Sequence, residues 1–578
     1  MTSPTAASTT AHTRTASTEE TAWWRHAVIY QIYPRSWADG NADGIGDLPG
    51  IISRLPYLRD LGVDAIWISP FYVSPMADAG YDVADYHQID PLFGDLEDAD
   101  TLIRTAHDLG LRVIVDLVPN HTSDEHRWFE AALAAEPGSA ERERYMFRDG
   151  RGEHGEEPPN NWRAVFGGSA WERVTEPDGS LGQWYLHLFD IKQPDLNWQN
   201  PEVREMFHDV LRYWLDRGVD GFRVDVAHGL VKTEGLPDFT PPVDGVAFQA
   251  DESIDNPMWD RDGVHEIYRG WRSVLDGYNP DGHPDQDRIL VAEAWVQPIS
   301  RAASYTRPDE MHQAFNFAFL ECPWSPQEMR EVITTSLSVA HDVGAPSTWV
   351  LSNHDVVRHA SRYGLTVGEK RPNGIGMSDP QPNGMLGLRR ARAGSMLMLS
   401  LPGSAYVYQG EELGLPEHTA IPDDERQDPT WERSEHSERG RDGCRIPMPW
   451  AAGSTAYGFG ESARTWLPQP EIYGALAADR QVGVDGSTLE LYRTGLRLRR
   501  DHDLGVGTLN WMEGYDDDVV AFTNTGPDRA TIGVLTNFGD APVPLPENAE
   551  VLLSSHSMVD DQLRRDSTVW VRLSEDHR

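Results

Sequence analysis

The chain has 578 residues, a formal charge of −42 (50 Lys and Arg against 92 Asp and Glu), 39% hydrophobic content, and 20 Trp, 19 Tyr and 16 Phe. That length calls for two or three domains rather than one small core, and the charge argues against nucleic acid or an anionic membrane surface as partner. With only Cys322 and Cys444 present, neither a disulfide framework nor a cysteine metal cluster is available.

Residues Met1 to Glu20 are rich in Ser, Thr and Ala and lack the apolar core of a signal peptide. No apolar run reaches the ~18 residues a membrane helix needs. The plain expectation is a cytoplasmic protein, not bound to a membrane, with a disordered tail over residues 1–22. From Ala27 the chain alternates strand-like and helical runs. His26–Tyr33 reads as a strand, and Leu48–Leu61 as a helix with Ile51, Ile52, Leu55, Leu58 and Leu61 on one apolar face. Ala65–Ser69 is a second strand, Asp95–Leu109 a helix opened by acids, and Arg112–Val118 a third strand. Repeated β-then-α order predicts a parallel sheet, and eight such units close a (β/α)8 TIM barrel.

The rhythm breaks over residues 121–198, a Gly-, Pro-, Trp- and charge-rich stretch that reads as an inserted domain or lid. It resumes with a helix near Pro201–Arg217 and a fourth strand ending at Asp225. A fifth strand ends at Glu293, His312–Phe317 is a candidate sixth, a seventh ends at Asp355, and Ala405–Gln409 is a candidate eighth. The barrel is thus expected to occupy residues 23–120 and 199–504. Residues 505–578 read as a small antiparallel β-domain, with strand-like runs at Val519–Thr523, Thr531–Leu535, Glu550–Leu553 and Thr568–Leu573.

Three acids at three strand ends are the feature that points to chemistry. A barrel builds its active site at the carboxyl ends of its strands, and paired carboxylates are the machinery of glycoside hydrolysis. Arg223 lies two residues before Asp225, so on a strand both side chains point the same way and the guanidinium can keep the carboxylate ionised. A structural Arg–Asp pair is the alternative. Glu293, flanked by Ala292 and Ala294-Trp295, sits in apolar surroundings that raise a carboxyl pKa, as a general acid needs. Asn353-His354-Asp355 offers groups for sugar hydroxyls or ordinary turn chemistry. Asp116 reads as support for the strand loops and His121 as a hydroxyl partner. Gly80-Tyr81-Asp82 supplies an aromatic plate beside an acid, or a simple loop. Asp39, Asn41, Asp43 and Asp47 are spaced as oxygen ligands at loop positions 1, 3, 5 and 9, with the Ile45 carbonyl at position 7, as in calcium loops. Gly50 stands where the usual bidentate Glu would be, so an acid-rich surface turn is the other reading.

These segments resemble the α-amylase superfamily, glycoside hydrolase family 13, in its bacterial α-glucosidase and oligo-1,6-glucosidase branch. The matching runs are Asp116–His121 (DLVPNH), Gln193–Trp198 (QPDLNW), Gly221–Val226 (GFRVDV), Val291–Trp295 (VAEAW), Ser352–Asp355 (SNHD), Gly44–Gly50 (GIGDLPG), the YQGEELG segment within Gly403–Gly414, and Gly440–Trp450 (GRDGCRIPMPW). The resemblance implies a (β/α)8 barrel, a B domain inserted after strand three and a C-terminal antiparallel β-sandwich. It implies a retaining, exo-acting α-glucosidase with transglucosylation, acting on short malto- or isomalto-oligosaccharides. In it Asp225 is the nucleophile, Glu293 the acid and base, and Asp355 the residue holding the −1 sugar. Tyr81, Asp82, His121, Arg223, His354 and Arg441 match the terminal-glucose pocket, with Arg445 a rival for Arg441 and an Asp82–arginine pair closing the pocket end. Phe166 and Phe317 line the acceptor side, and the Asp39–Asp47 loop carries a structural Ca²⁺ or Mg²⁺, with no organic cofactor. Linkage stays open: Val226 accompanies α-1,6 specificity, whereas Ala227-His228-Gly229-Leu230 looks like α-glucosidases of maltose type. A transferase or isomerase, a sucrose hydrolase and a non-catalytic relative are the rival readings.

Overall fold

Asp47 starts the first long helix, α1 (Leu48–Leu61). Its carboxylate accepts the Gly50 N–H, Pro49 sits in the first turn, and Gly62 closes the helix in the left-handed region at φ 96°. Leu48, Ile51, Leu55, Leu58 and Leu61 are its buried face, with Ile52 half-buried at the edge of that stripe. α2 (Leu96–Asp108) opens with a reciprocal capping box between Asp95 and Asp98. These elements belong to a computed structural model that describes residues 22–240, 249–251, 253–366, 372–527 and 531–573. The expected tail over residues 1–22 lies, apart from Ala22, outside the described residues.

Eight parallel strands form the barrel: β1 (Val28–Ile32), β2 (Ala65–Ile68), β3 (Arg112–Leu117), β4 (Gly221–Val224), β5 (Ile289–Ala292), β6 (Gln313–Ala314), β7 (Thr348–Val350) and β8 (Ser404–Tyr408). They neighbour one another in the order β6-β5-β4-β3-β2-β1-β8-β7. A parallel bridge between Phe315 and Thr348 joins the two ends of that order. Nearly every strand residue is buried, which is why these segments read as continuous apolar runs. Around them lie α3 (Pro201–Asp216), α4 (Gly263–Asp276), α5 (Pro326–Val343), α6 (Gly384–Leu399) and α7 (Thr488–Asp501).

The sixth and seventh strands differ from their sequence reading. β6 has two residues, and Phe317 starts a short helix (Phe317–Glu321) whose first turn is capped by the Asn316 side chain. β7 ends at Val350, so Asp355 stands on the following loop rather than on the strand. Between residues 121 and 198 the chain builds a helix (Arg127–Ala134) and a three-stranded antiparallel sheet of Phe147–Arg148, Leu181–Leu186 and Trp171–Thr175. Near the C-terminus five antiparallel strands, β9 (Thr508–Trp511), β10 (Val519–Thr525), β11 (Ile532–Asn537), β12 (Glu550–Ser554) and β13 (Ser567–Arg572), follow the order β9-β10-β11-β13-β12. One side of this sheet meets α6, where the Trp570 indole donates to the Met396 carbonyl at 3.2 Å. A second apolar cluster joins Val519, Leu535 and Val569 to Val543 and Leu563 of a separate two-stranded pair, which serves as the second layer.

Candidate active site

Strand β4 runs out at Val224 and β5 at Ala292, so Asp225 and Glu293 are the first residues past two adjacent strands. Arg223 pairs in register with Asp116 on β3 and Val291 on β5, which sets its guanidinium between three carboxyl groups. Its Nη1 lies 2.6 Å from Asp225 Oδ1 and 2.9 Å from Asp116 Oδ1, and its Nη2 lies 2.9 Å from Glu293 Oε2. Burial pushes the Asp225 carboxyl above the usual carboxylate range against the pull of Arg223, with Glu293 and Asp116 adding repulsion. Asp116 is pushed up to about 6, chiefly by burial. It also accepts from the Trp67 indole at 3.2 Å and the Tyr81 hydroxyl at 3.1 Å.

Glu293 has its own donors. The Val226 N–H reaches Oε2 at 2.9 Å, and the Trp295 indole N–H reaches Oε1 at 3.1 Å. Val226 holds φ at +46°, a left-handed conformation that a β-branched residue adopts only under constraint.

Asp355 faces this pair from the loop after β7. Its Oδ1 is 3.0 Å from Arg445 Nη2 and 3.2 Å from Arg441 Nη1, and its Oδ2 is 3.2 Å from His354 Nε2. Burial opposes its ionisation, but the Arg441 and Arg445 guanidiniums, with Arg223 farther off, outweigh burial and hold the carboxyl well below its usual range. The His354 ring lies flat on Tyr81, with centroids 5.4 Å apart, and its Nδ1 meets Gln31 Nε2 at 2.7 Å. Burial drives its pKa far down, so the imidazole is neutral. His121 is likewise neutral, lowered to about 4 by burial. It sits 3.0 Å from the Gln193 amide and 3.1 Å from the Tyr81 carbonyl.

Arg441 spans three acids: Asp355, Asp78 Oδ1 at 2.7 Å from Nη2, and Asp428 Oδ2 at 2.6 Å from Nε. Its guanidinium carbon lies 5.3 Å from the Phe166 ring centre. Arg445 sits deeper, 2% exposed, with Nε on the His354 carbonyl at 2.8 Å. Arg441, 14% exposed, is thus the more open of the two arginines that share Asp355. Asp82 does not meet the arginine. It is fully buried, accepts the Ala77 and Asp78 N–H groups at 2.7 and 3.0 Å, and is pushed up to about 6 by burial. Asp78 takes the place expected of Asp82. Phe317 stacks face to face on Trp295 at 3.8 Å and 3°, beside Glu293.

The Asp39–Asp47 loop is closed by its own backbone. Asp39 accepts from Asn41, Ala42 and Gly44 N–H groups, Asn41 from Asp43, Asp43 from Ile45, and Asp47 from Gly40. An all-oxygen donor set suits a hard divalent cation. Among the described residues, however, no three His, Cys, Asp or Glu side chains are gathered to hold an ion, so these carboxylates would have to draw together around one.

Sequence reasoning missed Asp78, Gln31, Trp67 and Asp428. Gln31 carried a signal, as the one amide in the buried strand Val-Ile-Tyr-Gln-Ile. A family model described as "Alpha amylase, catalytic domain" matches residues 31–506. A relative named "Probable alpha-glucosidase" from Rhizobium meliloti (strain 1021) is 39% identical over 502 residues, 85% of each chain. An oligo-1,6-glucosidase of Parageobacillus thermoglucosidasius is 34% identical over 580 residues, 93% of this chain and 96% of that one. Among solved structures, the alpha-glucosyl transfer enzyme XgtA aligns with TM-score 0.81 and 34% identity, covering 96% of this chain and 99% of the other.

Proposed function

The chain belongs to the α-amylase family of glycoside hydrolases, and we propose that it is a retaining, exo-acting α-glucosidase that removes terminal non-reducing glucose from short α-linked oligosaccharides and α-glucosides. The observation that carries the reading is the single Arg223 guanidinium ion-paired with Asp225 through Nη1 and with Glu293 through Nη2. Two carboxyls on adjacent nitrogens of one fork favour the close spacing, roughly 5 to 5.5 Å, that double displacement uses, over the wider gap that must seat a water.

With Asp225 Oδ1 held by Arg223, Oδ2 is the oxygen that attacks the anomeric carbon. Glu293 protonates the departing oxygen, then deprotonates water to release α-glucose. Asp355, kept ionised by its basic neighbours, holds two sugar hydroxyls, and neutral His121 and His354 bond others. The Asp78–Arg441 pair, backed by Asp428 and Phe166, closes the far end of the pocket, so only a chain terminus fits. Tyr81 floors the pocket. Phe166 and Phe317 belong to the acceptor side.

A structural Ca²⁺ or Mg²⁺ on Asp39, Asn41, Asp43, Asp47 and the Ile45 carbonyl is part of the same reading, supported by their oxygen chemistry. So is residence in the cytoplasm, supported by two buried free cysteines. No described helix is long and apolar enough to cross a membrane.

Transfer to a second sugar in place of water is the second reading, favoured by the likeness to a glucosyl-transfer enzyme. A proton-NMR time course with maltose, isomaltose, sucrose and trehalose in separate tubes tests both. α-Glucose appearing before mutarotation supports the hydrolase, and the fastest tube gives the linkage. A new disaccharide with little free glucose makes the enzyme a transferase or isomerase. No change in any tube would overturn the assignment.

A further inference from the structure

The two oxygens of Glu293 are not equivalent. Oε2 accepts the Val226 N–H at 2.9 Å and is ion-paired with Arg223 Nη2 at 2.9 Å, and a cationic group held against Oε2 leaves Oε1 as the oxygen that takes up a proton. A proton on this carboxyl therefore rides on Oε1. Among the described residues that oxygen has one donor, the Trp295 indole N–H at 3.1 Å. Trp295 is 7% exposed and its ring is pinned by the parallel stack on Phe317. The left-handed Val226 fixes the other end of the carboxyl by turning its N–H onto Oε2.

We infer that Trp295 is a positioning residue for proton transfer: its indole N–H selects Oε1 of Glu293 as the proton-donating oxygen and stabilises the carboxylate left when the proton has gone. The inference rests on Glu293 being the acid. In the first step the Oε1 proton passes to the glycosidic oxygen, the bond from that oxygen to the anomeric carbon breaks with its electron pair, and Asp225 Oδ2 bonds to that carbon. Glu293 gains the negative charge that Asp225 loses. An N–H aimed at Oε1 strengthens as this charge develops, because a carboxylate accepts more strongly than a carboxylic acid. In the second step the same N–H orients Oε1 to take a proton from water.

The test is Trp295→Phe, which keeps an aromatic ring to stack on Phe317 and deletes the N–H. kcat/KM is measured for a series of substituted phenyl α-glucosides, since 4-nitrophenolate leaves with little protonation and unsubstituted phenol needs it. The expected result is a fall of about tenfold or more for the phenyl substrate, a small share of what a general acid supplies, with less than about a threefold fall for 4-nitrophenyl. The ratio between substrates is read within one preparation, so partial unfolding cancels. An equal fall across the series overturns the inference and leaves Trp295 as packing. Glu293→Gln on the same series separates the two claims: if its loss does not depend on the leaving group, the assignment of Glu293 as acid has failed.

Discussion

Replacing Glu411 by Gln should stabilise the protein, and by more as the pH rises. Glu411 follows β8, is buried, and has its pKa raised by that burial from 4.5 up to about 8. Among the described residues its surroundings hold no cation bonded to the carboxyl, only two donors. Oε1 accepts the Tyr408 N–H at 3.0 Å. Oε2 lies 3.2 Å from the Tyr492 hydroxyl, whose single proton is directed 2.6 Å to Ser395 Oγ, and Ser395 in turn donates to the Ala391 carbonyl. The Tyr492 hydroxyl has one proton for two acceptors, and the shorter contact is the one to Ser395, which leaves the Glu411 contact open to a proton from the carboxyl. Between pH 4.5 and about 8 the folded protein keeps a proton that the unfolded chain has released. Stability therefore falls with rising pH, by about 1.4 kcal/mol per pH unit and about 5 kcal/mol over the window. Gln keeps the acceptor and the donor without the titration. For a chain of this length about 1 kcal/mol moves Tm by about 1 °C. Scanning calorimetry of both proteins should show nearly equal Tm at pH 5 and a gap of about 4 °C in favour of Glu411→Gln at pH 8. A gap that does not change with pH would refute the reasoning.

Asp225→Ala should lower kcat/KM by roughly 10⁴-fold or more while Tm stays within a few degrees, since no covalent glucosyl intermediate can form; steady-state kinetics beside a melting curve decide it. Asp78→Asn leaves Arg441 short of one partner and should cost about 2 kcal/mol or more, about 30-fold in kcat/KM on disaccharides. If activity is unchanged, Asp78 does not close the pocket. Chelation of divalent cations should lower Tm more than it lowers activity in the cold, and an unchanged melting curve would remove the metal from the Asp39–Asp47 loop.

Barrel strands are legible because they are buried on both faces. Ile289–Ala292 and Gly221–Val224 have little room for polar residues, so the acid that follows each stands out against an apolar run. Helix limits are legible where capping is local, as at Asp47 and Gly62. What failed was geometry set by left-handed residues. Asp82 looked like the arginine's partner because it adjoins Tyr81. Met76, Ala79 and Gly80 all hold positive φ, and the curl they produce carries Asp78 to Arg441 while turning Asp82 onto the backbone it closes. Alternation along an extended chain cannot anticipate such a reversal. Strand β6 failed for another reason. The Asn316 side chain caps the helix starting at Phe317, a local hydrogen bond that outcompetes the ladder once the aromatic run begins.

The charge inventory of the pocket explains why these acids and arginines occur together. Asp78, Asp116, Asp225, Glu293, Asp355 and Asp428 face Arg223, Arg441 and Arg445. Six carboxyls to three guanidiniums is an excess of negative charge in a buried site, and full ionisation of all six would be costly. The arginines are unevenly shared. Arg441 and Arg445 converge on Asp355, whose carboxyl is held low, whereas Arg223 alone serves Asp116, Asp225 and Glu293, and the first two are pushed up. The basic groups are thus concentrated on Asp355, where a sugar hydroxyl needs an ionised acceptor, while Arg223 alone offsets the mutual repulsion of the other three acids. As the glycosidic bond breaks, the sugar ring becomes cationic, and the surplus of carboxyl groups around it then stabilises the transition state more than the neutral substrate.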